Sequence, residues 1–300
     1  MTDNGCPLCG RGESARLVEL ERGHLLRCRR CGLTYVDPRP SVESVRQYYD
    51  EKIYKDPTTA GHIDDRRRAL FTEFLDEIHP VGQRRLLDIG CGTGEFLKLA
   101  RTRGWDAYGV ELSLEAVERA NRLGLSVYLG MLPDQGETDM SFPDRFFDIV
   151  TLWNVLDVLP RPVDQLREVH RVLTPGGRIF IRTPNQHFHL LAYRLSRLLR
   201  WPPALARLLQ DSYIFHPLLW SPRSLRLLLR HEGFIDVRIW NSPLSLGDPY
   251  LVVPEERERL MLMIKKLVYG AAQAVYASSG RTWLLGSSLS VLAKKPGGEW

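Results

Sequence analysis

The sequence predicts an α/β protein: a seven-stranded sheet with helices on both faces, preceded by a small four-cysteine ribbon. Three observations carry that expectation. From Arg85 onward, short apolar runs rich in β-branched residues alternate with helical stretches, the pattern of a parallel sheet covered on both faces. The first of these runs passes through closely spaced glycines into a helical pattern, as where a strand hands a ligand loop to a helix. Four of the five cysteines stand at 6, 9, 28 and 31. The 300 residues suit about two domains of roughly 150 each, and a 44% hydrophobic content is ample for a core, so disorder, low complexity and repeat arrays are excluded.

Residues 1–36 form the ribbon. Two Cys-x2-Cys pairs separated by eighteen residues let two tight turns present four sulfurs to one tetrahedral ion, a closed and therefore structural site for zinc on Cys6, Cys9, Cys28 and Cys31. Gly10 and Gly32 follow the second cysteine of each pair, where a knuckle needs positive φ. The rival assignments are two disulfides or free thiols. No basic stretch followed by an apolar run opens the chain, so the expected location is the cytoplasm, where disulfides are disfavoured. Cys91 reads as a small filler within the glycine turn.

Residues 37–80 read as a helical lead-in. VDPRPS at 36–41 breaks the chain and Ser41 caps a helix through SVRQYYDEKIY, with Tyr48 and Tyr49 either lid residues or core packing. Residues 81–296 hold the sheet, with strands at 85–90, 107–112, 126–130, 147–153, 178–184, 234–240 and 289–295. Two insertions, 186–220 and 243–286, fall where open α/β sheets build acceptor pockets. In the first, Phe188, Leu191, Leu195, Leu198 and Leu199 share one helical face while Arg194, Arg197 and Arg200 fall away from it, a basic amphipathic helix. It docks on the protein's own core or, through 188–209, on a membrane surface or lipid acceptor. The net charge of +5 is concentrated: residues 186–233 hold seven Arg against Asp211 and Glu232. The most apolar late stretch, 267–277, is too short to span a bilayer.

LLDIGCGTGEFL at 86–97 places Gly90, Gly92 and Gly94 between strand and helix, and Glu111 ends the next strand, where an acid can accept both hydroxyls of a ribose. The loop lacks the Gly-x-Gly-x-x-Gly of dinucleotide sites and the Walker Gly-Lys-Ser/Thr. Asp88 and Glu95 beside it would repel a pyrophosphate and suit a ligand carrying an ammonium and a sulfonium. With these residues the chain resembles the class I S-adenosylmethionine-dependent methyltransferases, a Rossmann-like seven-stranded fold whose LDIGCGTG members include ubiquinone-type O-methyltransferases. The likeness runs over about 85–296. The ribbon with DPRPS and the Tyr pair resembles a subgroup carrying an N-terminal zinc module.

The resemblance implies S-adenosylmethionine as cofactor, with Asp88, Gly90, Cys91, Gly92 and Gly94 around its methionine end and Glu111 and Leu112 at the ribose. Met131 and Leu132 fall beside adenine, and Trp153 closes the set. Members commonly carry Asp where this chain has Met131, so adenine recognition falls to backbone groups. Relatives often read like WHVLEH after the fourth strand, and some use that Glu-His region for a divalent metal. Here Trp153, Asn154, Val155, Leu156, Asp157 and Val158 stand instead. His216, before the SPRSL helix, is the first candidate for a general base and His187 the second, with Asn154 beside the acceptor. No Asp/Asn-Pro-Pro-Tyr and no Pro-Cys nucleophile is present, which argues against methylation of adenine amines or cytosine carbon. The expected acceptor is a small molecule, sugar or lipid-linked compound, most readily methylated on oxygen. The alternatives are an RNA methyltransferase gripping phosphates with the ribbon and Arg-rich segment, a nucleic-acid-binding zinc module on the same scaffold, and a catalytically dead partner protein.

Overall fold

The computed structural model describes residues 5–20, 23–55, 65–78, 82–132, 141–198, 216–243 and 255–297. The ribbon contributes strands β1 (Ser14–Leu20), β2 (Gly23–Cys28) and β3 (Thr34–Asp37), paired as an antiparallel meander. Helix α1 (Val42–Tyr48) follows, capped as expected by Ser41, whose side chain accepts from the Ser44 N–H at 3.1 Å. A π-helical turn over Tyr49–Ile53 and helix α2 (Asp65–Glu77) complete the described lead-in.

The main sheet then builds from β4 (Arg85–Ile89), α3 (Glu95–Thr102), β5 (Asp106–Glu111), α4 (Leu114–Arg122), β6 (Ser126–Leu129), β7 (Phe147–Trp153), α5 (Pro162–Val172) and β8 (Leu173–Pro184). Helix α6 (Gln186–Leu198), the two-residue β9 (Leu218–Leu219), α7 (Pro222–His231), β10 (Ile235–Asn241), α8 (Glu255–Ser278) and β11 (Ser288–Lys294) follow. The strand order is β6-β5-β4-β7-β8-β11-β10. All seven expected strands form, and β4 to β8 run parallel. The sheet is mixed rather than wholly parallel, because β11 enters antiparallel between β8 and β10. A crossover strand and its neighbour carry the same apolar alternation, so their direction is set by the connection and not by the strand's own sequence.

The order reverses between β4 and β7, and both end at the same edge, where a crevice forms. Strand β7 is buried at every residue, as a central parallel strand must be.

The ribbon is not a separate bead. Its edge strand β3 pairs antiparallel with β9, Thr34 opposite Leu219 and Tyr35 opposite Leu218, and the Val36 N–H donates to the Pro217 carbonyl at 2.9 Å. Cys6, Cys28, Cys31, Leu33 and Tyr35 share one buried cluster with Leu156, Leu225 and Trp220.

Helix α6 corrects the expected face. Its buried residues are Gln186, His189 and Leu190; Leu190 packs with the half-buried Tyr193 on Val18, Leu25 and Leu219 of the ribbon sheet, while Leu191 is 48% and Leu195 42% exposed. The ribbon sheet sits one residue around the helix from the apolar stripe, so docking turned the stripe outward. Arg194 is exposed as expected; the Arg197 and Leu198 side chains and residues 199–215, including Leu199 and Arg200, lie outside the described residues. Among the described residues no helix is long and apolar enough to cross a membrane.

Candidate active site and metal centre

The glycine loop joins β4 to α3 at the crevice. Gly90, Gly92 and Gly94 all take positive φ. At Gly90 a side chain is doubly excluded: φ is +69° and a Cβ would overlap the Val155 methyls. At Gly92, φ is +55° and a Cβ would come 2.8 Å from the Tyr54 hydroxyl. Tyr54 thus lies against the loop. The π-helical turn, closed by the Tyr54 N–H on the Tyr49 carbonyl at 2.8 Å, brings it there. Its ring stacks on Tyr49 at 6.2 Å, Arg119 donates to the Tyr54 carbonyl, and the Ser113 hydroxyl donates to Asp50. Of the two tyrosines singled out in the sequence, Tyr49 joins this cover and Tyr48 stays 53% exposed.

Two buried carboxyl groups frame the loop. Asp88 Oδ1 accepts from the Thr151 hydroxyl at 2.6 Å, and its second oxygen makes no hydrogen bond among the described residues. Burial pushes the Asp88 carboxyl up to about 8, opposed by the Thr151 bond and reinforced by Glu111. Glu111 accepts three backbone N–H groups: Leu112 at 2.8 Å and Ser113 at 2.9 Å on Oε1, and Gly92 at 2.9 Å on Oε2. Burial raises Glu111 and these bonds oppose it. The carboxylate therefore ties the end of β5 to the middle of the glycine loop. Cys91 is buried, its thiol raised well above its usual value by burial, which suits a filler.

Along the same edge the Gly130 N–H donates to the Glu111 carbonyl at 2.8 Å, leading into the half-buried Met131 and the buried Leu132. Trp153 ends β7 within an aromatic cluster of Phe71, Phe74, Phe96 and Phe180, with ring centroids 4.6–5.4 Å away. Its indole N–H makes no hydrogen bond among the described residues.

On the other side of the strand-order reversal, Asn154 takes φ +59°, and its side-chain oxygen accepts from Arg182 at 2.5 Å. Arg182, on β8, is 4% exposed and also donates to Ser242 at 2.9 Å. Sequence reading missed Arg182, although an arginine inside the apolar run RIFIRTP was a visible signal. His216 stands with Nδ1 2.9 Å from Asp157 Oδ2, and Asp157 is fully buried. The Leu218 N–H donates to the Asp157 carbonyl at 2.9 Å and the Trp220 indole to the Leu156 carbonyl at 3.1 Å, so β9 fixes His216 beside the loop that follows β7. His189 packs nearby; burial first and His216 second hold it down to about 4, a neutral imidazole. His187 is placed elsewhere: it is exposed on the ribbon side, lowered by partial burial and by Arg27 of β2.

The four ribbon cysteines gather their sulfurs within 4.8 Å of one another. Cys6 and Cys31 are 3.5 Å apart and Cys9 and Cys28 3.6 Å, all four thiols free. Sulfurs at about 2.3 Å around a tetrahedral zinc stand roughly 3.8 Å from each other, so the set fits that ion. A hydrogen bond from Cys31, with the Leu8 and Cys9 backbone, lowers the Cys6 thiol against its burial, as a first thiolate in such a cluster requires. Gly10 and Gly32 take φ +67° and +78°, as the knuckles require.

Comparison with known proteins agrees with this geometry. A family model described as a methyltransferase domain matches residues 60–239, more than half of the chain. The chain is 32% identical over 123 residues to a ubiquinone biosynthesis O-methyltransferase of Pseudomonas aeruginosa, covering 39% of this chain and 52% of that one. A protein of the same description from Methylococcus capsulatus is 30% identical over 128 residues, covering 41% and 52%. The chain thus spans about half the length of the curated relatives it matches. Phosphoethanolamine N-methyltransferase 2 of Haemonchus contortus, solved with S-adenosyl-L-methionine, superposes with a TM-score of 0.54 at 17% identity over 94% of this chain and 71% of that one. A methyltransferase solved with the Haloferax volcanii Trm112 activator gives 0.54 at 18% identity over 86% and 100%. These two likenesses concern the fold. The chain belongs to the class I S-adenosylmethionine-dependent methyltransferase family.

Proposed function

We propose that the protein transfers a methyl group from S-adenosylmethionine to a hydroxyl oxygen of a small molecule, sugar or lipid-linked acceptor. The carrying observation is the His216–Asp157 pair, 2.9 Å apart beside the crevice that the glycine loop opens. The sulfonium supplies an electrophilic methyl. Asp88, with one oxygen unbonded, receives an ammonium, which also returns this buried carboxyl to its ionised form. Glu111 orients the ribose, Met131 and Leu132 flank the adenine, and Tyr54 covers the loop. The buried Asp157 carboxylate, with Oδ2 2.9 Å from Nδ1 of His216, favours a proton on that nitrogen and leaves Nε2 as the basic one. As the acceptor oxygen forms its bond to the methyl and the sulfur–carbon bond breaks, the hydroxyl proton passes to Nε2 and demethylated cofactor leaves.

Asn154 and Arg182 brace the acceptor side. A zinc ion on Cys6, Cys9, Cys28 and Cys31 would be structural, holding β3 and through it β9 and His216. The exposed Leu191 and Leu195, with Arg194 on the same helix, support peripheral contact with an anionic lipid surface or a lipid-linked acceptor. The ubiquinone-type relatives favour a small-molecule acceptor over RNA. Incubation with isotope-labelled methyl donor and cell extract, separated into lipid, sugar and RNA fractions, tests the reading. Base-stable label in the lipid or sugar fraction, lost in His216→Ala, is expected; label confined to RNA would overturn it.

A further inference from the structure

We infer that a second, basic site on the flank of the molecule binds a phosphate group. A shallow cleft of about 270 Å³ lies between the cysteine knuckles and α7, lined by Leu8, Cys9, Arg11, Arg30, Cys31, Leu227 and His231. Arg11 follows the first knuckle and Arg30 sits inside the second, so the two tight turns that gather the sulfurs also aim two guanidinium groups at one opening. Across it, Leu227 and His231 are one helical turn apart on α7. Arg223 and Arg230 fall on the same exposed face of that helix, with Arg226 at its border.

Among the described residues the arginines at this cleft lack an acidic partner, while His231 meets Glu232 at 2.8 Å. Elsewhere arginines find acids: Arg16 reaches Glu19 at 3.3 Å, Arg103 reaches Asp76 at 2.7 Å, and Arg167 reaches Asp164 at 3.1 Å. Among the described residues no carboxylate lies within 4 Å of the side chains of Arg11, Arg29, Arg30, Arg223, Arg226 or Arg230. The nearby acids are Glu232, already shared by Arg167 at 3.5 Å and His231 at 2.8 Å, and the exposed Glu13, whose carbonyl accepts from the Arg29 N–H. Four thiolates around a divalent zinc carry a net charge of about −2, which two guanidinium groups offset. Arg29 and the three arginines of α7 remain in excess of that compensation.

The ligand chemistry follows from the donors. Guanidinium forks match phosphate oxygens with two parallel hydrogen bonds, and a neutral or cationic ligand gains little here. Among the described residues no Phe, Tyr or Trp ring lines the cleft, so they offer no platform for stacking bases. The crevice at the glycine loop is the electrostatic opposite, framed by Asp88, Glu111 and Asp157, and would repel a phosphate. The cleft is therefore a distinct site for a phosphomonoester or diphosphate, and it does not depend on the proposed methyl-transfer chemistry.

Inorganic pyrophosphate, titrated calorimetrically at fixed ionic strength into the full chain with its metal content measured in parallel, is the probe. Saturable one-to-one binding is expected. It should weaken at least about tenfold in Arg11→Gln/Arg30→Gln, the loss of one charged hydrogen bond or more. The same loss is expected in Arg230→Gln/His231→Gln, which leaves the knuckles untouched and so reads the site even if the first variant loses metal. S-adenosylmethionine affinity should stay constant in both. A nucleoside diphosphate and vesicles containing phosphatidic acid, each competed against pyrophosphate, distinguish a soluble source from a headgroup; competition by either supports the site. No saturable binding, affinity undiminished from the unsubstituted protein in both variants, or binding of long RNA alone with steep salt dependence would each overturn the inference.

Discussion

The Glu111 carboxylate makes the sharpest prediction. Its two oxygens offer about four lone-pair directions, and three are taken, two on Oε1 by Leu112 and Ser113 and one on Oε2 by Gly92. One direction on Oε2 remains, so at the proposed ribose site the carboxylate should take one hydroxyl at full strength, where the sequence suggested two. A charge-assisted hydrogen bond contributes about 1.5–3 kcal/mol, which corresponds to roughly 10–150-fold in affinity. In Glu111→Gln the amide oxygen can keep Leu112 and Ser113 while the amide nitrogen faces the Gly92 N–H, donor against donor. Calorimetry should therefore show S-adenosylmethionine and its demethylated product weakened alike within that range, since both carry the ribose. Glu111→Ala should also lower thermal stability, because three backbone donors lose their acceptor. Of the 2′- and 3′-deoxy analogues, only one should bind Glu111→Gln as tightly as the intact cofactor does. Unchanged affinity in Glu111→Gln, or loss confined to the sulfonium form, would refute the reasoning.

Four further outcomes follow from the site. Asp88 has its folded pKa raised from 3.8 to about 8, so the folded state binds more protons than the unfolded one, and stability of the ligand-free protein should fall as pH rises from about 4 to 8. Cofactor binding should conversely tighten toward pH 8 with proton release, and Asp88→Asn should flatten that dependence in calorimetry. His216→Ala and Asp157→Asn should each lower kcat by about 10²–10⁴-fold with cofactor affinity retained; equal turnover would remove the pair from the reaction. Cys28→Ser should lose metal by elemental analysis and lose turnover more than cofactor affinity, because β3 holds the strand beside His216. Leu191→Gln/Leu195→Gln should leave the melting temperature nearly unchanged, since both side chains are exposed, while co-sedimentation with anionic vesicles decreases; a large drop in melting temperature would show that the stripe is packed.

Much of this protein was legible locally. Apolar alternation located the seven strands to within a few residues, because inward-facing positions recur along each strand whatever the strand's neighbour. The four-cysteine spacing and the glycines at 90, 92 and 94 were legible because tight turns and positive φ demand particular residues at particular offsets. Ser41 capped its helix for the same short-range reason. Tertiary structure decided what depends on a partner. The Leu191 stripe of α6 suited either the core or a membrane surface, and the ribbon sheet met the neighbouring Leu190 face instead, since which face is buried depends on what arrives. The pairing of His216 with Asp157 joins residues far apart in the chain through β9, a strand of two residues too short to carry any period. Arg182 acquired its place only when β7 and β10 brought Asn154 and Ser242 to it. Turn chemistry and periodicity are written residue by residue, whereas the faces that meet, and the charges that converge at the crevice and the flank, exist only once separate segments have packed.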